Sequence, residues 1–135
     1  MKYYSRRVIK PEDLNPGQSL FGGRLLSWLD EEAGIFAACQ MGSHQLVTRQ
    51  IRDITFHRPG RQGEVIEFGL ALTHTGRTAV TVRCEVRNKQ SLAVLATVEA
   101  MVFVNLDANG RPCPHKLAKT RRSNPVTTPV RKPGL

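Results

Sequence analysis

Residues 24–41 read RLLSWLDEEAGIFAACQM, and the spacing of their apolar side chains decides the fold. Leu25, Leu26, Leu29, Ala33, Phe36 and Ala37 recur at every third or fourth position, which predicts one long helix with a single apolar stripe. Gly22-Gly23 stands at its start and Gly42-Ser43 at its end, glycine being a natural C-terminal stop. Such a helix needs a surface to pack on.

The residues that follow supply it. Residues 46–57 are rich in Val, Ile, Thr and Phe and stop at Arg58-Pro59-Gly60. Residues 64–74 alternate, with Ile66, Phe68, Leu70 and Leu72 on one face. A compact turn at Thr75-Gly76-Arg77 leads into residues 78–87, where Val80, Val82, Cys84 and Val86 again share a face. After a turn at residues 88–91, residues 92–106 are nearly continuous apolar sequence, the pattern of a central strand covered on both sides. Asp107-Ala108-Asn109-Gly110 closes that strand with turn chemistry. Upstream, residues 2–9 predict a short first strand, and two prolines and a glycine make residues 10–17 a connector.

Strand, long helix, then four strands joined mostly by hairpins is an α+β order: an antiparallel sheet wrapped around one helix. One helix covers one face only. A second copy joined sheet edge to sheet edge is therefore expected.

The bulk numbers agree with a single compact unit. The chain has 135 residues, 40% of them hydrophobic and 23% charged, close to an ordinary globular composition and too apolar for a wholly disordered chain. No apolar run is long enough to span a bilayer as a helix. Lys2, Arg6, Arg7 and Lys10 are followed by no apolar core, so the start does not read as a secretory signal. Cys39, Cys84 and Cys113 are odd in number without CxxC spacing, which argues against a disulfide framework and fits a reducing compartment. These features point to the cytoplasm.

The formal net charge is +9. Lys116, Lys119, Arg121, Arg122, Arg131 and Lys132 lie near the C-terminus with no acid among them. A basic, proline-containing segment with few large apolar residues cannot bury a core. The chain thus divides into a folded domain over residues 1–115 and a solvated basic tail over residues 116–135. A basic tail also allows weak, salt-sensitive, nonspecific contact with nucleic acid.

Three positions carry potential chemistry: Asn15, Gly22-Gly23 and Asp30. Glycines at a helix start let a ligand approach free N–H groups and the positive dipole end, where an oxyanion is stabilised. Asp30 falls beside the apolar stripe, next to Leu26, Ala33, Gly34 and Ala37, whereas Glu31 and Glu32 fall on more polar faces and read as solvated. A carboxylate beside a core is costly unless paired or used, so Asp30 is either a buried structural acid or a functional base. His57 and His74 read as ordinary strand-associated histidines, and Trp28 and Phe36 as core. Cys113-Pro114-His115 offers two ligands where zinc needs three or four.

The segment 14–34, LNPGQSLFGGRLLSWLDEEAG, resembles the start of the hotdog-fold acyl-CoA thioesterases, in the cytosolic single-domain acyl-CoA hydrolase branch. The resemblance continues through Leu46-Val47-Thr48, Asp53, Phe56-His57-Arg58-Pro59 with Gly63-Glu64, then Thr75-Gly76-Arg77-Thr78, and Phe103-Val104-Asn105-Leu106 with Gly110-Arg111-Pro112. It implies a dimer with one continuous sheet, assembling further into a tetramer or hexamer. It implies an active site at the dimer interface, with Asn15 from one subunit and Asp30 from the other. Gly22 and Gly23 would face the thioester carbonyl. Gly76, Arg77 and Thr78 would lie near the phosphates of coenzyme A, and Arg58 joins Gly22 among the substrate-binding positions. No cofactor is implied, since coenzyme A is part of the substrate. Arg49 and Arg52 depart from the smaller residues common in that strand of the branch.

The chemistry implied is modest in its demands. A thiol leaves with a pKa of about 8.5, so no strong general acid is required. Asp30 would act as general base or as nucleophile, and Asn15 would orient water or the thioester. A hotdog hydratase would use a His–Asp pair at the helix start, which is missing here. A non-catalytic acyl-CoA-binding hotdog protein and a nonspecific nucleic-acid-binding protein remain as alternatives from other classes.

Overall fold

A computed structural model describes residues 1–117. The elements run β1 (Lys2–Val8), a 3₁₀ turn (Pro11–Asp13), α1 (Gly22–Met41), β2 (Leu46–Phe56), β3 (Val65–Thr75), β4 (Ala79–Asn88) and β5 (Val94–Asn105). All five strands form one antiparallel sheet in the order β1-β3-β4-β5-β2. Two connections are the expected hairpins, β3–β4 and β4–β5. The link from β2 to β3 is not: β2 pairs with β5, so the chain crosses from one side of the sheet towards the other. β5 is an interior strand, but β4 holds the middle.

The helix begins at Gly22, two residues before the first strong helix former. Glycine is a poor helix residue, which hides this first turn from a propensity reading. Tertiary contacts hold it: the Phe21 N–H donates to the Asp13 carbonyl at 2.9 Å, and Arg24 pairs with the buried Asp13 at 3.4 Å. At the other end Gly42 takes φ 65°, and its N–H closes the helix on the Ala38 carbonyl. Only glycine adopts that left-handed conformation without strain.

The core is the interface between helix stripe and sheet. Leu25, Leu29, Ala33, Phe36, Ala37 and Met41 meet the inward rows of β3, β4 and β5 predicted above. Ile66, Phe68, Val80, Val82, Cys84, Val86, Val98, Met101 and Phe103 are fully buried there. Bulges at Tyr3/Ser5, Thr48/Gln50, Leu72/His74 and Val82/Cys84 break the ladders. Each adds local bend and twist, which curls the sheet about the helix. After β5, Asn105 Nδ2 donates to the carbonyls of Cys113 and Pro114, the His115 N–H donates to the Arg77 carbonyl at 3.3 Å, and Leu117 packs on the core. Of the tail expected over residues 116–135, residues 118–135 lie outside the described residues.

Glu32 corrects the sequence reading. It is not solvated: its side chain is 14% exposed and accepts from Ser5 Oγ at 2.6 Å and from the Arg7 guanidinium at 3.0 Å. Arg7, placed by β1, also stacks over Trp28. The helix periodicity carries no information about what β1 would bring to that face. Glu31 remains exposed but shares Arg7.

The outer face of the sheet carries charge instead of apolar surface. The carboxylate of Glu67, 7% exposed, accepts from Arg87 at 2.7 Å and from Arg6 at 3.3 Å. Arg87 stacks on the Tyr3 ring, whose hydroxyl donates to Glu85. Burial and that carboxylate push the Tyr3 phenol up to about 12. The two guanidinium partners, Arg87 foremost, hold Glu67 below the usual carboxylate range. A depressed folded-state pKa stabilises the fold above the unfolded value of about 4.3, and the gain is lost as pH falls through the folded value. Melting temperature should therefore drop between pH 6 and pH 3. Glu67→Gln should lower it at pH 7, on the order of 5 °C, and flatten the acid limb. Thermal denaturation followed by circular dichroism across that range checks both effects; parallel acid limbs in the two proteins would refute the assignment.

Candidate active site

Two structures converge on the start of α1. In the first, the turn 15–19 is closed by Asn15 itself: its N–H donates to the Ser19 carbonyl at 2.8 Å, and its Oδ1 accepts from the Ser19 N–H at 3.1 Å. Gln18 takes φ 66° to complete the turn, and a Cβ on Gly17 would crowd Asn15 Oδ1 at 3.3 Å. The carboxamide is thus held by its oxygen, and its Nδ2 donor has no partner among the described residues. In the second, Gly22 and Gly23 occupy the first turn of α1, where N–H groups lack intrahelical acceptors, and Phe21 provides no side-chain cap. A Cβ on Gly23 would lie 2.8 Å from the Phe21 ring, so any larger residue there needs that exposed ring to shift.

A cleft of ≈ 280 Å³ opens beside this turn, lined in part by Ser19, Gly22, Phe56, Arg58 and Leu95. Arg58 is exposed there, anchored through its N–H to the Leu95 carbonyl at 3.2 Å. His57 Nε2 lies 2.9 Å from Thr97 Oγ1, an ordinary strand-end contact.

Asp30 lies elsewhere. It is half-buried on the sheet-facing side of α1, and its Oδ1 accepts from Thr48 Oγ1 at 2.8 Å. Thr48 belongs to the inward row of β2, opposite Phe103, among Leu46, Ile51 and Ile54. Sequence reasoning quoted Thr48 without giving it a role. The signal was present: a hydroxyl in an inward row of aliphatic residues needs an acceptor. One Asp30 oxygen is oriented by this bond, and the other has no protein partner among the described residues. Eight residues of helix separate Asp30 from Gly22, a rise of about 12 Å. One chain therefore does not bring Asp30 together with Gly22 and Gly23.

The third place is the β3–β4 turn. Gly76 donates its N–H to the Ala79 carbonyl at 2.8 Å, and Arg77 and Thr78 follow on the tip. Gly76, Arg77 and Thr78 line a groove of ≈ 560 Å³ together with Arg49, Gln50, Arg52 and His74. Among the described residues there is no group of His, Cys, Asp and Glu side chains that could hold a metal ion. No helix there is long and apolar enough to cross a membrane.

β2 is an edge strand eleven residues long whose outer side has no partner strand among the described residues, and Val47, Phe56 and the neighbouring Phe21 are large, exposed apolar side chains. A long edge with apolar neighbours is a template for pairing with another chain.

One helix enclosed by a curled five-stranded antiparallel sheet is the hotdog fold. Residues 17–94 match the thioesterase superfamily, so this chain belongs to the thioesterase superfamily. Among curated proteins it is 31% identical to the uncharacterized acyl-CoA thioester hydrolase ZMO0511 of Zymomonas mobilis, over 80% of this chain and 74% of that one. It is 28% identical to the acyl-CoA thioester hydrolase YciA of Salmonella typhimurium, over 81% of this chain and 86% of the relative. Among solved structures, an apo-hexameric acyl-CoA thioesterase superposes with a TM-score of 0.75 at 27% identity, covering 94% of this chain and 85% of that one.

Proposed function

We propose that this protein hydrolyses acyl-CoA thioesters to a carboxylic acid and free coenzyme A. The observation that carries the reading is Asp30: a half-buried carboxylate, oriented by Thr48 at 2.8 Å, with one oxygen left for chemistry. The relatives' shared activity on acyl-CoA supports the substrate class.

The steps follow from the residues. Asp30 accepts a proton from water, and the resulting hydroxide equivalent attacks the thioester carbonyl carbon. The N–H groups of Gly22 and Gly23 receive the oxyanion at the dipole end of α1. The C–S bond then breaks, and the thiolate takes the proton that Asp30 holds. Asn15 Nδ2 donates to the water or the carbonyl. Direct attack by Asp30 through an anhydride uses the same geometry. No cofactor enters this scheme.

The site is shared. Asn15 and the glycine pair of one subunit meet Asp30 of a second copy paired along β2, which closes the open edge and covers Val47 and Phe56. Further assembly to a hexamer, as in the solved relative, fits a small chain of this fold. A cytoplasmic location fits three free cysteines, Cys39, Cys84 and Cys113.

Release of free thiol from a small panel of acyl-CoA esters tests the activity. Turnover above the buffer rate supports it. Binding of acyl-CoA with no thiol release by folded protein would favour a non-catalytic acyl-CoA carrier instead. Within the same assay, Arg77→Ala should raise KM for acyl-CoA roughly tenfold and leave kcat within about twofold, because a remote phosphate contact serves ground and transition states alike. Removing residues 116–135 should change neither constant by more than about twofold. If truncation abolishes turnover and Arg77→Ala leaves KM unchanged, the tail and not the turn holds the nucleotide.

A further inference from the structure

The edge strand β2 carries a pattern that its pairing with β5 leaves unexplained. Thr48, Ile51 and Ile54 are half-buried, and the two residues within each interval are exposed. A regular strand turns every second residue inward, not every third. Two backbone irregularities accompany the longer step: the bulge at Arg49, between Thr48 and Gln50, and Asp53, which takes φ 57°. Among the described residues, Asp53 is the one non-glycine residue with positive φ inside a strand, since Gln18 and Leu92 lie outside strands.

The pattern is symmetric about Ile51. From residue 47 to residue 55 the order of exposed and half-buried positions reads the same in both directions. The two irregularities, at Arg49 and Asp53, lie equally far to either side of Ile51. Their charges are opposite. Both side chains are exposed, and neither has an ion-pair partner among the described residues. Glu99, which stands across the ladder from Asp53, is itself an acid and is held by Arg83.

We infer that two copies of this chain pair antiparallel along β2 about a two-fold axis through Ile51, joined by two Arg49–Asp53 ion pairs. This pairing rests on the shared-site reading above and gives that site its register. In an isologous antiparallel pair each residue has a fixed mate on the same face of the sheet. About Ile51, Leu46 meets Phe56 of the partner subunit, Thr48 meets Ile54, and Arg49 meets Asp53, so the whole of β2 is paired. Direct mates lie close enough for side chains to interact, and opposite charges there stabilise the pair. An axis between Arg52 and Asp53 also matches Ile51 with Ile54, but it leaves Leu46, Val47 and Thr48 without mates in β2. The axis through Ile51 sets Thr48, and the Asp30 carboxylate it holds, one inward place from the partner's Phe56. Within its own chain the Phe56 ring packs on Gly22, so the two halves of the proposed site converge.

The test is disulfide trapping with copper–phenanthroline in a Cys39→Ser/Cys113→Ser background, which leaves only the buried Cys84. Ile51→Cys puts a thiol on the axis, where opposed Cα atoms fall within the roughly 4.4–6.8 Å that a disulfide spans. Most of that protein should become covalent dimer on a non-reducing gel. Arg52→Cys stands two residues along the ladder from its own copy, roughly 8 Å away, and should trap at least tenfold more slowly. Two charge variants are then added to Ile51→Cys. Arg49→Glu sets a carboxylate against Asp53 at both places, and Asp53→Lys sets an ammonium against Arg49 at both; opposed like charges weaken the pairing. Each alone should trap roughly tenfold more slowly than Ile51→Cys. Mixed, they set opposite charges together at both places, and heterodimer identified by mass should form at a rate within about twofold of Ile51→Cys. Equal or faster trapping through Arg52→Cys overturns the inference, and that comparison involves no charge variant. A mixture no faster than its components overturns it too. Thiol release from acyl-CoA without trapping at Ile51→Cys leaves hydrolysis standing and removes the axis. Trapping as expected without thiol release by wild type sinks the hydrolase reading and supports the pairing.

Discussion

Asp30→Asn lowers kcat by a factor of about 10³ or more, while fold and CoA affinity stay near wild type. A positioned base contributes about 10²–10⁴-fold, and the amide neither accepts the proton of water nor attacks a thioester. The substitution is gentle on structure because the Asn oxygen still accepts from Thr48 Oγ1, now 2.8 Å from the Asp30 carboxylate. Helix α1 also loses no apolar contact, since Leu29 and Ala33 carry the packing on either side. Asn15→Ala slows the reaction less, by roughly 10–10²-fold, since it removes one neutral donor. Steady-state thiol release with a calorimetric Kd for CoA separates these effects. Turnover within tenfold of wild type in folded Asp30→Asn would remove the carboxylate from the mechanism.

The second result is recovery of activity from two impaired proteins. Asn15→Ala, slowed roughly 10–10²-fold, and Asp30→Asn, slowed about 10³-fold or more, gain thiol release beyond the sum of the two when mixed under conditions that exchange subunits. The result is expected from the proposed shared site: Gly22 and Asp30 stand about 12 Å apart along one α1. In a mixed dimer, one of the two shared sites receives both defects and the other receives neither. Activity should therefore climb towards a quarter of the wild-type value at equal mixing, because roughly half the dimers are mixed and each has one intact site. Native mass spectrometry establishes that mixed dimers formed. Their presence without recovered turnover would place Asn15 and Asp30 in the same subunit's site.

The resemblance brought Asn15, Gly22, Gly23 and Asp30 together as a functional group before any coordinates, and the structure shows how each is held. Asn15 is fixed by its own turn, and Asp30 by Thr48. Thr48 escaped notice because its role depends on a partner eighteen residues away on another element. Glu32 was misplaced for the same reason: its partners Ser5 and Arg7 arrive on β1, which helical periodicity does not see. Arg49 and Arg52 were visible as a departure from the branch, but their relation to Arg77 was not. Those residues share a groove because Gln50, Val102 and Thr81 fall in one row across three strands.

By itself the sequence determined what is local. An apolar repeat of three and four made α1 and chose its buried face, and alternation in β3 and β4 chose Ile66, Phe68, Val80 and Val82 for the core. These follow from the helix and strand periods acting within a few residues. Tertiary structure alone decided that β2 lies beside β5 and not β3, that β2 is left as an open edge, and that Thr48 faces Asp30. Pairing between distant strands is set by register, and each bulge resets it by one residue, turning side chains from one face of the sheet to the other. No local pattern of residues carries that count.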